Sequence, residues 1–126
     1  PHTLAPNPKA QSVLTPVPLI RLAYGRSGDK GDKANIGIIA RQSEYLPYIW
    51  TALTPEVVAS CFSRFLDGRV ERFLLPGIHA INFVLHDVLG GGGMASLRND
   101  AQGKGYAQIL LAQPIDLPVS LAEQIP

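Results

Sequence analysis

Two polar, glycine-rich segments carry the most varied chemistry of this chain. The first occupies residues 26–35 and reads R-S-G-D-K-G-D-K-A-N, and the second begins with four glycines at position 90 and extends to Lys104. Each follows an apolar segment and combines flexible backbone with charges of both signs. Because compact domains usually connect their elements by short turns, two long polar segments of this kind predict a binding or catalytic site.

The first segment offers several groups that bind anions. Gly28 and Gly31 permit positive φ angles, so successive backbone N–H groups can form an anion-binding nest. Arg26 offers a bidentate fork to a carboxylate or phosphate, and Lys30 offers a compact charge to a phosphate. The G-x-x-x-x-G-K-[ST] spacing of a P-loop is absent from this segment. The remaining ligand-binding candidates in the segment are Ser27 and Asn35.

The same segment also contains candidate proton-transfer groups. Asp29 and Asp32, three residues apart, can act as general bases or hold a hydrated Mg²⁺ ion. The alternative is a surface hairpin in which the Asp and Lys side chains pair with each other and cap turns. Ser27 has no evident His–Asp partner, which argues against a serine nucleophile.

The second segment combines glycines with four different polar groups. A single glycine suffices to end a helix, and ordering four of them costs conformational entropy unless a close backbone approach is required. G-G-G-G is not a dinucleotide fingerprint, because the strand–turn–helix context runs the wrong way round. The alternative is a flexible turn beside a strand with a solvated end. The candidate binding residues here are Gly91, Gly92, Gly93, Ser96, Arg98 and Lys104, and Asp100 is a third candidate base.

Isolated polar side chains in apolar segments give weaker signals. Asn82 and His86 lie four residues apart in a predicted helix, with His79 one turn earlier. A third metal ligand is not evident, so both histidines are predicted to be structural. Asn82 is a binding candidate, because an amide in an apolar helix needs polar partners that the first segment could supply. Cys61 is predicted to be a small core residue.

Composition limits the classes of protein that fit. The chain has 126 residues with 46% hydrophobic residues, which predicts one domain with one core. A net charge of +1 argues against nucleic acid or a membrane surface as a partner, and the single cysteine excludes an internal disulfide. No segment resembles a membrane span or signal peptide, so we expect a cytoplasmic location. The start at Pro1 favours a domain excised from a longer protein.

Hydrophobic periodicity predicts two main helices and about five short strands. Residues 1–17 are expected to be a Pro-rich linker or arm, 18–119 the globular domain and 120–126 a tail. The helix over 54–68 has a strong start, with Thr54 as cap and Pro55 at its first position. The other predicted helices cover 80–89 and 105–111, with a helical turn at 46–53. Predicted strands cover 19–24, 36–40, 70–75, 94–98 and 115–119, the first two forming a hairpin around the first polar segment.

This alternation predicts an α+β sandwich. A mixed or antiparallel sheet of four to five strands would carry two main helices on one face, and a ferredoxin-like arrangement is the expected fold.

Both polar segments resemble a known family. R-S-G-D-K-G-D-x-A-N-I-G at residues 26–37 resembles the signature of the small C-terminal domain of AtuA-type acyclic terpene utilisation proteins. The second half is similar as well, through L-P at 75–76, A-I-N-F-V-L at 80–85, L-G-G-G-G at 89–93, S-L-R at 96–98, Asp100 and G-K at 103–104. The resemblance covers roughly residues 18–118.

The resemblance implies a ferredoxin-like fold and a bacterial catabolic setting. Larger family members carry a separate N-terminal domain, and the family name refers to the breakdown of citronellol- and geraniol-like terpenes through CoA thioesters. The resemblance assigns a catalytic role to none of the matched residues, and it names no cofactor.

Two functions therefore remain open. In the first, the domain is a non-catalytic assembly or ligand-binding module whose polar segments contact an N-terminal domain, a partner subunit or another copy in a homo-oligomer. In the second, it acts on a CoA thioester or carboxylic acid, with Arg26 and Arg98 binding the anion, the backbone N–H groups of residues 91–93 stabilising an oxyanion, and an aspartate as base. A metal-dependent form requires the fold to bring Asp29, Asp32 and Asp100 together. Whether the two segments meet is not determined by the sequence.

Overall fold

The computed structural model describes residues 13–30, 33–64, 66–88 and 105–126, with the backbone alone at 29 and 30. In chain order its strands are β1 (Leu14–Pro18), β2 (Ala23–Lys30), β3 (Lys33–Ala40), β4 (Val70–Leu75), β5 (Ala80–Leu85) and β6 (Pro114–Pro118). Its α-helices are α1 (Leu46–Ala52), α2 (Pro55–Cys61), α3 (Gly105–Leu111) and α4 (Val119–Ala122). Short 3₁₀ turns occupy Leu19–Arg21, Ser43–Tyr45 and Pro76–Ile78.

Four of the strands form an antiparallel sheet with the order β2-β3-β5-β4. In its register, Gly37 of β3 pairs with Arg26 on one side and Asn82 on the other, and Asn82 pairs with Phe73 of β4. β1 and β6 form a separate antiparallel pair, in which Leu14 lies opposite Pro118. Each strand of the larger sheet therefore contributes one residue to every cross-strand row.

The core lies on one face of the four-stranded sheet. Alternate side chains of β3 and β5, among them Ile36, Ile38 and Phe83, are fully buried. They share one hydrophobic cluster with side chains of the helices, including Ile49 of α1 and Leu110 of α3. Because successive side chains of a strand point to opposite faces, the helices cover one face and leave the other to the intervening residues.

The start of α2 follows the predicted capping pattern. The Thr54 hydroxyl accepts a hydrogen bond from the Val57 N–H at 3.2 Å, and Pro55 occupies the first helical position. The helix ends at Cys61, well before the predicted end at Gly68. Gly68 has another role, because a Cβ there would overlap the His86 carbonyl oxygen and lie 2.9 Å from the Asp87 Cβ. The chain approaches itself too closely at this point for a side chain.

Several predicted elements are confirmed. The helical turn at 46–53, the strand at 70–75 and the helix at 105–111 occur as α1, β4 and α3, and the strand predicted at 115–119 occurs one residue earlier as β6. The described end of the predicted arm forms β1, and part of the predicted tail forms α4. The strand predicted at 94–98 lies outside the described residues.

The helix predicted over 80–89 is wrong, since residues 80–85 form β5. The apolar residues at 81, 84, 85 and 88 match helical spacing, but β5 is an inner strand with neighbours on both sides. On the face away from the helices β5 carries the apolar Ala80 and Val84 beside Asn82, so its residue pattern lacks the strict alternation that marks a half-buried strand. His79, expected at the start of that helix, instead has a left-handed conformation with φ of 53° in the turn before β5. The helices over the sheet are therefore α1, α2 and α3.

The prediction of a long loop around residues 26–35 is also wrong in part. The hairpin exists, but β2 begins at Ala23 and continues to Lys30, while β3 begins at Lys33, so most of the polar segment is strand. Residues 19–21, predicted as strand, form a 3₁₀ turn. Polar residues and glycines occur inside these strands because one side of the hairpin does not contribute to the core.

Candidate functional site

The face of the four-stranded sheet opposite the helices is the candidate functional site, and we call it the open face. The register and the strand alternation assign its residues. Three of its aromatic and aliphatic side chains, Tyr24, Phe73 and Leu75, are 55%, 48% and 42% exposed. The open face consists of Tyr24, Arg26 and Gly28 from β2, Lys33, Asn35, Gly37 and Ile39 from β3, Glu71, Phe73 and Leu75 from β4, and Ala80, Asn82 and Val84 from β5.

The other side of β2 faces α3. A Cβ at Gly25 would lie 3.1 Å from Leu111 and 3.2 Å from Ala107. Glycine therefore allows α3 to pack directly on the strand. Ser27 is two residues further along β2, so it lies on this same helix-covered side and is half-buried.

The central row of the open face combines two polar groups with a gap. Arg26, Gly37, Asn82 and Phe73 follow one another across the four strands. Arg26 and Asn82 are two strand spacings apart, about 9.6 Å, and a Cβ at Gly37 between them would meet nothing within 4 Å. Neither the Arg26 side chain nor the Asn82 side chain makes a hydrogen bond or ion pair within the described part of the chain. From β2 to β4, the row thus presents a guanidinium, an open space at Gly37, an amide and an aromatic ring to the exterior.

One end of the open face is charged. The His86 Nε2 atom lies 2.7 Å from the Glu71 Oε1 atom, and the Arg69 guanidinium is 3.7 Å from the same oxygen. The hydrogen bond with His86 lowers the pKa of Glu71, helped by the positive charges of Arg69 and Lys33 and opposed by desolvation. Because an ionised carboxylate only accepts hydrogen bonds, the His86 Nε2–H is the donor of this pair.

The opposite end of the open face is apolar. Tyr24, Ile39 and Leu75 lie in one row, and the Arg41 guanidinium stacks 3.9 Å from the centre of the Tyr24 ring. Arg41 also donates a hydrogen bond to the Ile20 carbonyl oxygen at 3.1 Å, which fixes the stack. The surface therefore changes along the strands from charged, through the central row, to aromatic and aliphatic.

The AtuA ferredoxin-like domain family matches residues 17–116, which is most of the chain. The chain belongs to this family. No curated protein and no solved structure was found to be similar to it. For this AtuA ferredoxin-like domain, the match and the antiparallel sheet with helices on one face confirm the predicted α+β, ferredoxin-like class.

The structure brings some of the predicted site residues of this AtuA ferredoxin-like domain together. Arg26, Gly28 and Asn35 of the first signature share the open face with Asn82 of the second. Ser27 lies on the opposite side of β2. The side chains of Asp29 and Lys30 are not described, and the following predicted residues lie outside the described part of the chain: Gly31, Asp32, Gly91, Gly92, Gly93, Ser96, Arg98, Asp100 and Lys104.

The three candidate bases and the meeting of the two polar segments therefore stay predictions. Among the described residues there is no group of three or more His, Cys, Asp or Glu side chains that could hold a metal ion. In the same part of the chain, no helix has the length and apolarity that a membrane crossing requires.

Sequence reasoning missed the charged end of the open face. Glu71 belonged to the strand predicted at 70–75, Arg69 directly preceded that strand, and His86 was placed in the helix predicted at 80–89. The signal that could have found them is the Pro76-Gly77 turn, which is typical of a hairpin between 70–75 and 80–85. That hairpin would place residue 71 next to the residues that follow position 84.

Cys61 is half-buried against the core, as predicted. Burial raises the pKa of its thiol, which leaves the thiol mostly protonated and unreactive near neutral pH.

Proposed function

We propose that this AtuA ferredoxin-like domain is a non-catalytic assembly and ligand-binding domain, and that the open face is its binding surface. The central row supports this proposal, because the Arg26 and Asn82 side chains have no partner among the described residues and Asn82 lies beside the exposed Phe73. Arginine and aromatic side chains are enriched in binding interfaces, and a guanidinium recognises carboxylates and phosphates by a bidentate fork. A rigid sheet holds these groups at fixed spacing.

The proposed setting is the bacterial cytoplasm, in the catabolism of acyclic terpenes or related acids. Membership of the AtuA ferredoxin-like family supports this setting. The macromolecular partner would be an N-terminal domain, a partner subunit or another copy of the chain. The ligand would be a carboxylic acid or an acyl-CoA, whose negative charge matches the excess of Arg26, Lys33 and Arg69 over Glu71 on this surface.

The test compares Arg26→Ala and Asn82→Ala with Arg64→Ala, an exposed arginine outside the sheet. Thermal unfolding is measured with octanoate, octanoyl-CoA and inorganic phosphate as probes. A ligand at 100 times its Kd stabilises the folded state by about 2.7 kcal/mol. We expect the parent chain and Arg64→Ala to respond to the same probe and both open-face variants to lose the response. Retention of every response, and of every partner interaction, by Arg26→Ala would contradict the proposal.

A catalytic function is the second candidate, and the Glu71–His86 pair favours it. A histidine oriented by a carboxylate is a common proton-transfer group, and the substrate would be a CoA thioester or carboxylic acid. Asp29, Asp32 and Asp100 remain the other candidate bases. Turnover by the intact protein is compared for His86→Gln and Asp32→Asn. Loss of turnover at an unchanged free energy of unfolding supports catalysis, and unchanged turnover argues against it.

A further inference from the structure

We propose that the open face binds an acidic, amphipathic α-helix of a partner protein, with a carboxylate over its central row and apolar side chains over its aromatic and aliphatic end. This inference rests on the proposed function, since it names the kind of partner that the same surface takes. The partner is selected by the charge of the face, the arrangement of its apolar groups, its backbone pairing and its size.

The charge of the open face favours an acidic partner. Arg26 and Lys33 are cations on this face, and Glu71 is the one acidic side chain assigned to it among the described residues. Glu71 is already engaged, because its carboxylate is in contact with His86 and Arg69. The cations of β2 and β3 are therefore in excess, and this excess attracts an acidic partner and repels a basic one.

The central row has the geometry of a carboxylate site. Arg26 and Asn82 are each one strand spacing, about 4.8 Å, from Gly37. A Cβ at Gly37 would meet nothing within 4 Å, so an incoming side chain has room there. A carboxylate over Gly37 can accept hydrogen bonds from both the guanidinium and the amide. Both side chains lack partners among the described residues, so their donors are available.

The apolar groups of the open face are spread over its width. Tyr24 and Leu75 lie in one row, about 14 Å apart across three strand spacings, with Ile39 between them. Phe73 extends this apolar area along β4, and Ile78 is 55% exposed in the turn that follows β4. A single acyl chain covers one line of such groups, whereas a helix with its side chains is about 10–12 Å wide. The width of the area thus fits a helix.

The backbone pairing of the sheet favours a helix over an extended peptide. The inner strands β3 and β5 are paired on both sides, so the open face offers no backbone groups to an incoming chain. Extended peptides pair with the edge of a sheet, and on its face their N–H and C=O groups would be covered without partners. A helix satisfies its own backbone groups, and helices already cover the opposite face of this sheet.

The size of the open face fits one helix rather than a whole domain. Four strands at 4.8 Å and six residues at 3.3 Å give a flat area of about 400 Å². A typical specific interface between two proteins buries about 800 Å² on each partner. A helix of about 12 residues is about 18 Å long, which is close to the extent of the face. We therefore expect a weak complex that becomes weaker as salt is added.

Synthetic peptides test the charge and the helical structure of the partner. The probe is a fluorescein-labelled peptide of about 14 residues, with leucines on one helical face, glutamates on its flanks and alanines elsewhere. One control peptide replaces every glutamate by lysine, and the other has a proline in the middle, which breaks the helix. Fluorescence anisotropy at low salt measures binding to the full chain. We expect the acidic helix to bind at least about tenfold more tightly than either control.

A charge reversal tests which groups of the open face make the contact. The double variant Arg26→Glu/Lys33→Glu should reverse the preference, so that it binds the lysine peptide more tightly than the glutamate peptide. Arg64→Glu changes an exposed arginine outside the sheet and should keep the preference of the parent. Circular dichroism checks that each variant folds. If the double variant does not fold, Arg26→Gln should still weaken binding of the acidic peptide, because it removes the charge at similar size.

The apolar contact has a matched pair of variants. Phe73→Ser removes an exposed ring from the open face and should weaken binding of the acidic peptide at least about fivefold. Val57→Ser removes an exposed apolar side chain from α2 and should leave binding unchanged.

Absence of binding, equal binding of the acidic and basic peptides, or an acidic preference that survives in the folded Arg26→Glu/Lys33→Glu variant overturns this inference. The proposed function then stands if Arg26→Ala still abolishes the response to octanoate, octanoyl-CoA or phosphate. If Arg26→Ala changes no binding of any kind, both proposals fail.

Discussion

Arg72 joins a helix to the sheet through one side chain. Its guanidinium lies 3.6 Å from the centre of the Trp50 ring and donates hydrogen bonds to the carbonyl oxygens of Trp50 and Leu53. These carbonyls are at the carboxyl end of α1, where a helix has no internal donors for its last groups. Burial lowers the pKa of Arg72 and the charge of Glu56 opposes this, so the guanidinium remains charged at neutral pH.

We expect Arg72→Ala to lower the free energy of unfolding by about 2–3 kcal/mol, since two hydrogen bonds and a stack are lost. Arg72→Lys should recover less than half of this loss, because an ammonium cannot reproduce the planar fork. Denaturation by urea measures both variants. Arg64→Ala serves as the exposed control and should change stability by less than about 0.5 kcal/mol. A lysine variant as stable as the parent would rule out this role of the guanidinium.

The lowered pKa of Glu71 has a consequence for stability in acid. A carboxyl whose folded pKa lies below its ordinary value of 4.5 stabilises the folded state above that pH. The contribution decreases as the pH falls through the folded pKa. We expect the difference in free energy of unfolding between the parent and Glu71→Gln to be largest above about pH 4.5 and to shrink in more acidic solution.

Denaturation at a series of pH values between neutral and strongly acidic measures this difference. Glu44→Gln, on an exposed turn, is the matched control. If the free energies of unfolding of the parent and Glu71→Gln differ by the same amount across the acidic range, the interactions of the Glu71 carboxylate with its neighbours do not stabilise the folded state.

At the scale of elements, Gly68 fixes the approach of the β4 and β5 segments. Asp67 donates to the Asp87 carbonyl and His86 donates to the Arg69 carbonyl, each at 3.0 Å, so the backbones are held together on both sides of the glycine. We expect Gly68→Ala to cost about 1–3 kcal/mol, because its Cβ must displace the backbone of 86–87. Gly77→Ala is the matched control, since a Cβ there would meet nothing within 4 Å. Equal stability of the two variants, measured by thermal unfolding, would contradict this explanation.

The sequence predicted those elements whose ends carry local signals. Thr54 and Pro55 mark the start of α2, and β4 ends at Pro76-Gly77. It failed where the signal depends on neighbouring strands. β5 lacks strict alternation because Ala80 and Val84 are apolar on the face away from the helices. The polar part of β2 lies in a strand because nothing in the described chain covers its outer side.

The candidate site was predictable in composition but not in arrangement. Arg26, Asn35 and Asn82 were chosen for their side-chain chemistry, and they do share a surface. Their common face depends on the pairing of β3 with β5, which assigning 80–89 to a helix excluded. The Glu71–His86 pair was missed for the same reason, because only the register of β4 and β5 brings the two side chains together.

At the scale of the whole molecule, both sheets contribute to one core. Val17 of β1 and Leu117 of β6 belong to the same hydrophobic cluster as Ile38 of the larger sheet and Leu110 of α3. We expect a single cooperative unfolding transition, with calorimetric and van't Hoff enthalpies that agree.

The pairing of β1 with β6 affects how the chain can fold during its synthesis. Leu14 lies opposite Pro118, so β1 leaves the ribosome long before its partner strand exists. The strands of the larger sheet can pair earlier. Val17 and Leu19 can pack fully into the core only after Ile115 and Leu117 have been synthesised. Until then the nascent chain exposes apolar side chains that the finished protein buries, which makes this interval the one in which a chaperone can bind it.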